Sequence, residues 1–203
     1  GLTAIIHPSA LWKYGIHKRV ELRLLTELRT EETPHFMAGR KNFIAGIVPV
    51  EIGSKISLVE EKGIIPKTSL IVHTGIPALS SVKFRTNRLS PGFRFTMAHT
   101  LAQHLCLGYN LGAEWDGTAK TPYWIYTLTT GFSFHPRWYM YIELFGTANQ
   151  ESYPQHHVDG GIAFLVSNDI KVDLSAGKSI PKPFQYNYAA LGFSFRVNTK
   201  PAE

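Results

Sequence analysis

Apolar and polar residues alternate with a period of two along most of this chain. Between residues 20 and 29, Val20, Leu22, Leu24 and Leu28 fall on one side, and Glu21, Arg23, Glu27 and Arg29 on the other. That is the signature of a strand with one apolar and one polar face. The end of the chain repeats it, with Leu191, Phe193, Phe195 and Val197 against Ala190, Gly192, Ser194 and Arg196. No long stretch carries an apolar stripe at helical spacing, so helix is minor at most. The same test predicts about eleven strands, over residues 8–16, 19–29, 46–58, 66–76, 91–101, 105–115, 123–134, 138–147, 157–166, 170–178 and 186–197. Short connectors (16–18, 59–65, 102–104, 135–137, 167–169) alternate strictly with longer ones (30–45, 77–90, 116–122, 148–156, 179–185). Such alternation predicts an up-and-down antiparallel meander whose two ends face different surroundings.

Tight turns at one end, longer loops at the other and strands of about ten residues are expected of a bacterial outer-membrane barrel. Lipid demands closure, because an open sheet edge finds no hydrogen-bonding partner there. The predicted fold is therefore all-β: an up-and-down antiparallel transmembrane β-barrel of about twelve strands, eleven of them recognisable. The faces agree. Trp12, Trp115, Trp124, Tyr126, Phe134 and Trp138 stand near strand ends on apolar faces, where membrane-interface aromatics lie. Opposite faces carry Glu21, Arg23, Glu51, Lys55, Arg94, Asn110, Glu114, Glu143, Asp159, Lys171, Asp173 and Arg196. A soluble barrel or sandwich also alternates, but its polar face would be the outer one. Gly53, Gly75, Gly108, Gly112, Gly131, Gly161, Gly177 and Gly192 share that face. Glycine weakens an exposed strand and suits the crowded inside of a narrow barrel.

Composition narrows the picture further. The 203 residues fit one domain over 1–203. The longest apolar runs, such as Trp138 to Ile142, fall far short of the roughly 18 to 20 residues of a membrane-spanning helix. A single cysteine, Cys106, excludes an intramolecular disulfide and any cysteine-based zinc cluster. The charged fraction of 18% is low for a soluble protein and fits a lipid-facing wall.

The segment Leu107-Gly108-Tyr109-Asn110-Leu111-Gly112-Ala113-Glu114-Trp115-Asp116-Gly117 resembles the central signature of the outer-membrane, transporter-like family labelled "putative MetA-pathway of phenol degradation". Further blocks agree in order. They are Tyr14-Gly15 with Arg19 to Arg23, Tyr141 to Gly146, Asp159-Gly160-Gly161, Asn168-Asp169, Asp173 to Gly177 and Leu191 to Arg196. The resemblance spans about residues 8 to 197. It implies a small single-chain barrel with an acidic, proline-containing segment and one more strand ahead of the part present here. The expectation is then that the first strand is missing, or that Gly1 to Ile6 supplies part of it. The tail Asn198 to Glu203 displaces the usual C-terminal aromatic assembly signal to Phe193 and Phe195.

Function follows from the faces. Glu21, Arg23, Glu51, Lys55, Arg94, Asn110, Glu114, Glu143, Asp173 and Arg196 are the candidate lumen-lining residues. They either border a solute path or pair across a narrow interior and plug it. Trp12, Trp115, Trp124 and Trp138 are the candidate membrane-interface aromatics. A channel for a small solute is expected, an aromatic or apolar one on the strength of the family label alone. The alternative is a closed accessory barrel docked among other outer-membrane subunits.

Catalysis is not expected. No Gly-x-Ser-x-Gly elbow occurs, and Ser175 and Ser194 have no histidine in obvious reach. His156-His157 point to opposite faces and make a poor metal site, His35 lies in a loop, and His135-Pro136-Arg137 forms a tight turn. Cys106 is a small filler, and no cofactor or metal is called for. The net charge of +6 sits largely at strand ends and in loops, at Arg40, Lys41, Lys83, Arg85, Arg88, Lys120, Lys178 and Lys182. There it suits anionic lipopolysaccharide phosphates or anionic solutes rather than nucleic acid.

Overall fold

The computed structural model describes residues 4–33, 42–180 and 187–198. His35, Arg40, Lys41 and Lys182 lie outside the described residues, as do 34–41 of the connector 30–45, 181–185 of the connector 179–185 and the tail beyond Asn198. Twelve strands form: β1 (Ala4–His17), β2 (Val20–Thr33), β3 (Asn42–Ile47), β4 (Val50–Val59), β5 (Lys67–Ile76), β6 (Ser90–Ala102), β7 (Leu105–Glu114), β8 (Tyr123–His135), β9 (Trp138–Ala148), β10 (Gln155–Leu165), β11 (Ile170–Ile180) and β12 (Asn187–Phe195). The only helical pieces among the described residues are two single 3₁₀ turns, Pro77–Leu79 and Val82–Phe84. The strands make one sheet in chain order from β1 to β12, with β3 branching off to pair with β2.

The period-two pattern places these strands within a few residues of their observed ends, with one exception. The strand expected over 46–58 is two strands. β3 pairs with Leu28–Thr33 of β2 and β4 with Val20–Leu25, so the two follow one another along a single partner. Pro49 has no N–H for the ladder and interrupts it. Across the gap Val48 N–H still donates to the Glu27 carbonyl at 3.1 Å. Ala4 to Ile6 are the opening residues of β1, opposite Glu31 to Arg29, rather than a strand of their own. Just after them the register shifts between His7 and Ser9, around Pro8.

Two compact units make up the chain, Gly1–Thr96 with Leu111–Trp124, and Met97–Asn110 with Ile125–Glu203. In the first unit Trp12, Tyr14, Leu22, Leu24 and Ile52 share one sheet face and are 38–58% exposed. In the second, Phe132, Ile142, Leu144, Leu174 and Leu191 are likewise exposed. Only Ala113, Ile125 and Ala163 are buried apolar residues among those described. Water would penalise such a wall of exposed side chains, whereas hydrocarbon solvates it.

The polar face of the second unit packs tyrosine rings over glycines. Tyr141 stands opposite Gly161, and Tyr188 opposite Gly177. A Cβ added at Gly161 would lie 2.5 Å from Tyr141 Cε1. At Gly177 it would lie 2.5 Å from Tyr188 Cε1 and 2.6 Å from Asp159 Cβ. A Gly177→Val substitution should therefore destabilise the protein by about 1–3 kcal/mol through overpacking. Gly15→Ala, whose added carbon meets nothing within 4 Å, should be close to neutral. Urea-unfolding midpoints of the two variants in detergent check the difference.

Candidate functional site

Alternation along β2 and β4 to β7 brings most predicted charged residues of the first unit onto one face. Glu21 and Arg23, and Glu27 and Arg29, stand two residues apart on one side of β2 with Leu25 between the pairs, so each of these acids has a cation beside it. Arg23 Nε lies 3.1 Å from Glu21 Oε1. Arg29 bridges two acids, with Nε 2.6 Å from Glu27 Oε1 and Nη1 3.0 Å from Glu31 Oε1. Lys55 of β4 stands opposite Glu21 in the register. Four groups then converge from four strands. Arg94 Nη2 donates to Glu114 Oε1 at 2.9 Å, and His73 Nε2 lies 3.8 Å from Glu51 Oε2 and 3.9 Å from Glu114 Oε1. Gly92 makes the room, since a Cβ there would sit 2.6 Å from His73 Nε2 and 2.9 Å from Glu114 Cγ.

The connector after β5 lies against this face. Ser81 N–H donates to the Ile47 carbonyl and Ile47 N–H to Ser81 Oγ, both at 2.9 Å. A Cβ on Gly46 of β3 would fall 2.7 Å from Ser81 Cβ. The same connector is tied to the one after β7, where Arg88 N–H donates to the Gly117 carbonyl at 3.0 Å. Gly117 has φ 75°, a left-handed conformation open to glycine at little cost. Before it, Asp116 Oδ1 accepts the N–H groups of Thr118 and Ala119 at 2.7 and 2.8 Å. Lys83, Arg85, Arg88 and Lys120 are exposed on these two connectors.

In the second unit the polar face is built on hydroxyls and carboxylates. Asn110 Nδ2 donates to Thr127 Oγ1 at 2.5 Å, and Thr129 donates to Glu143. Asp159, opposite Glu143 across β9 and β10, accepts from the Tyr188 hydroxyl. Asp173 pairs with Lys171 at 3.1 Å. Cys106 Sγ lies 3.5 Å from the Gly131 carbonyl and 3.7 Å from the Tyr139 hydroxyl.

Arg196 departs from the expected placement. It lies one residue past β12, exposed, with Nε 2.9 Å from Asp169 Oδ1 in the turn before β11. Its alternation pattern runs on after the sheet pairing has ended. Trp12 and Trp124 are exposed on the apolar face at 57% and 55%, and Trp138 at 36%. Trp115 follows β7, half-buried, with its N–H on the Pro91 carbonyl. Tyr126, expected on an apolar face, has its hydroxyl 2.5 Å from His156 Nδ1. His73, Tyr141 and Tyr188 are polar-face residues that were not singled out from the sequence. The signal that could have found them is parity: each falls in step with a named neighbour, His73 with Gly75, Tyr141 with Glu143 and Tyr188 with Gly192.

A family model described as "Putative MetA-pathway of phenol degradation" matches residues 5–197. No curated protein sequence matches the chain. Among solved structures, an outer-membrane channel from Pseudomonas putida F1 superposes with a TM-score of 0.67 at 10% identity, over 95% of this chain and 81% of that one. The likeness gives the fold: an all-β, up-and-down antiparallel β-barrel.

Partial burial acts to raise the Asp116 carboxyl, but the N–H groups of Thr118 and Ala119 outweigh it and hold the pKa below the ordinary carboxylate value. The sign follows: this connector's turn is fully held above the unfolded value of about 3.9 and is lost only as pH falls through the lower folded value. The Thr118 and Ala119 amide NMR signals should titrate with a midpoint below that of a free aspartate, and Asp116→Asn should abolish the titration.

Proposed function

Because the chain belongs to the family described as "Putative MetA-pathway of phenol degradation", we propose that it is a channel for small solutes in the bacterial outer membrane. The observation that carries this reading is the split between faces. Large apolar side chains are exposed on one side of the strands, while Glu51, His73, Arg94, Glu114, Glu143 and Asp173 stand on the other. In a barrel the first side meets lipid and the second lines the lumen. The likeness to an outer-membrane channel supports the same reading.

The lumen charges act by neighbouring compensation. Arg94 on Glu114, Arg23 on Glu21 and Lys171 on Asp173 keep these three acids beside a cation. At these pairs a passing solute meets compensated charge rather than a strong field of one sign. The family label favours an aromatic or apolar solute. Trp12, Trp124 and Trp138 serve as interface anchors. The exposed Lys83, Arg85, Arg88 and Lys120 face lipopolysaccharide phosphates at the long-connector end.

The test is electrical. Purified protein in planar bilayers should give discrete conductance steps. Arg94→Gln, which leaves Glu114 without its guanidinium, should move the zero-current potential in a salt gradient toward cation preference. A heat-modifiable, folded protein that neither conducts nor passes solute would instead favour a closed accessory barrel.

A further inference from the structure

Histidines in the short turns have no part in the channel reading, yet in the second unit they meet. His104 comes from the turn between β6 and β7, His135 from the end of β8 and Arg137 from the turn that follows it. Lys171 opens β11. Together with Trp138 and Tyr139 they border a cavity of about 340 Å³. That volume lies at the small end of ligand sites, about 300–1,000 Å³.

Among the described residues no carboxylate borders the cavity. The two nearest in sequence are already engaged: Asp173 holds Lys171 at 3.1 Å and Asp169 holds Arg196 at 2.9 Å. Arg137 makes no side-chain ion pair among the described residues, which leaves its guanidinium fork open to a ligand. His135 Nδ1 accepts the Arg137 N–H at 3.1 Å, so a neutral His135 ring carries its proton on Nε2 and presents a donor there. The turns are anchored, since Leu165 N–H donates to the Arg137 carbonyl and Ser133 N–H to the His104 carbonyl, both at 2.9 Å. The Tyr139 ring lies over Gly131 on the polar face, while the Trp138 ring packs on Phe164 on the apolar face with centroids 4.7 Å apart. The cavity therefore offers donors and the Arg137 charge beside the Tyr139 ring, while Lys171 is held by Asp173.

We propose that this cavity binds small aromatic carboxylates, with Arg137 gripping the carboxylate and Tyr139 flanking the ring. The guanidinium fork matches the two carboxylate oxygens, which a lone hydroxyl does not. The Tyr139 ring matches a flat apolar body, which acetate lacks. As a station on a solute path the site rests on the channel reading; as a binding site it does not.

Isothermal titration calorimetry on the full chain in detergent tests it with benzoate, benzyl alcohol and acetate. Benzoate should bind saturably, and the other two at least about tenfold more weakly. Arg137→Gln, in an exposed turn, should weaken benzoate by about tenfold while heat-modifiable migration stays unchanged. The double variant His104→Gln with His135→Gln should weaken it further than either single change. Equal binding of benzyl alcohol or acetate, or unaltered benzoate affinity in Arg137→Gln, overturns the proposal. Benzoate binding without conductance would sink the channel reading and leave the site standing, whereas conductance without benzoate binding would do the reverse.

Discussion

Backbone N–H and C=O groups in hydrocarbon have no water to turn to, so each strand of a membrane barrel must satisfy its polar backbone on its neighbours. Everything else about this protein is arranged around that pairing. Antiparallel pairing in chain order allows tight turns at one end and longer connectors at the other. The pleat then sends successive side chains to opposite faces, so one face can be dissolved in lipid while the other stays polar. Where the pairing lapses, at Pro49, the gap is bridged at once by the Val48 N–H on the Glu27 carbonyl.

The same pairing governs the polar face. Charges that recur every second residue lie side by side, and Arg29 between Glu27 and Glu31 is the fullest case. Charges on adjacent strands meet only if the register sets them opposite one another, as it does for Lys55 and Glu21. A face lined this way needs space, and glycine provides it: Gly92 beneath His73 and Glu114, and Gly161 and Gly177 beneath tyrosine rings. The two units solve the problem with different chemistry. The first neutralises carboxylates mainly with guanidinium groups, and the second caps Glu143 and Asp159 with hydroxyls.

Period-two alternation made ten of the eleven expected strands legible, because it is a local property that needs no knowledge of partners. The break at Pro49 escaped it, because alternation predicts one continuous strand over 46–58, whereas Ile47 stands opposite Leu28 and Glu51 opposite Leu25, so residues of one parity change faces across the proline. Face membership was legible too: Glu21, Arg23, Glu51, Lys55, Glu114, Glu143 and Asp173 follow from parity alone. What parity cannot supply is who touches whom. The contact of Tyr188 with Asp159 spans three strands and depends on the stagger of each. His73 between Glu51 and Glu114 is likewise a product of register. Arg196 shows the opposite failure, because a sequence pattern can outlast the sheet that gives it meaning.

The tyrosine-over-glycine pairs carry a consequence for how the strands find each other. A slip of one residue turns a strand inside out and is rejected by the solvent on either side. A slip of two leaves every apolar residue facing lipid, so the membrane cannot detect it. The rings can. Moved by two, Tyr188 would confront Ser175 or Ser179 in place of Gly177, and Tyr141 would confront Asp159 or Ala163 in place of Gly161. Each bears a side chain where the ring must lie. A missing side chain thus works as a keyhole, proofreading the assembly error to which hydrophobic patterning is blind.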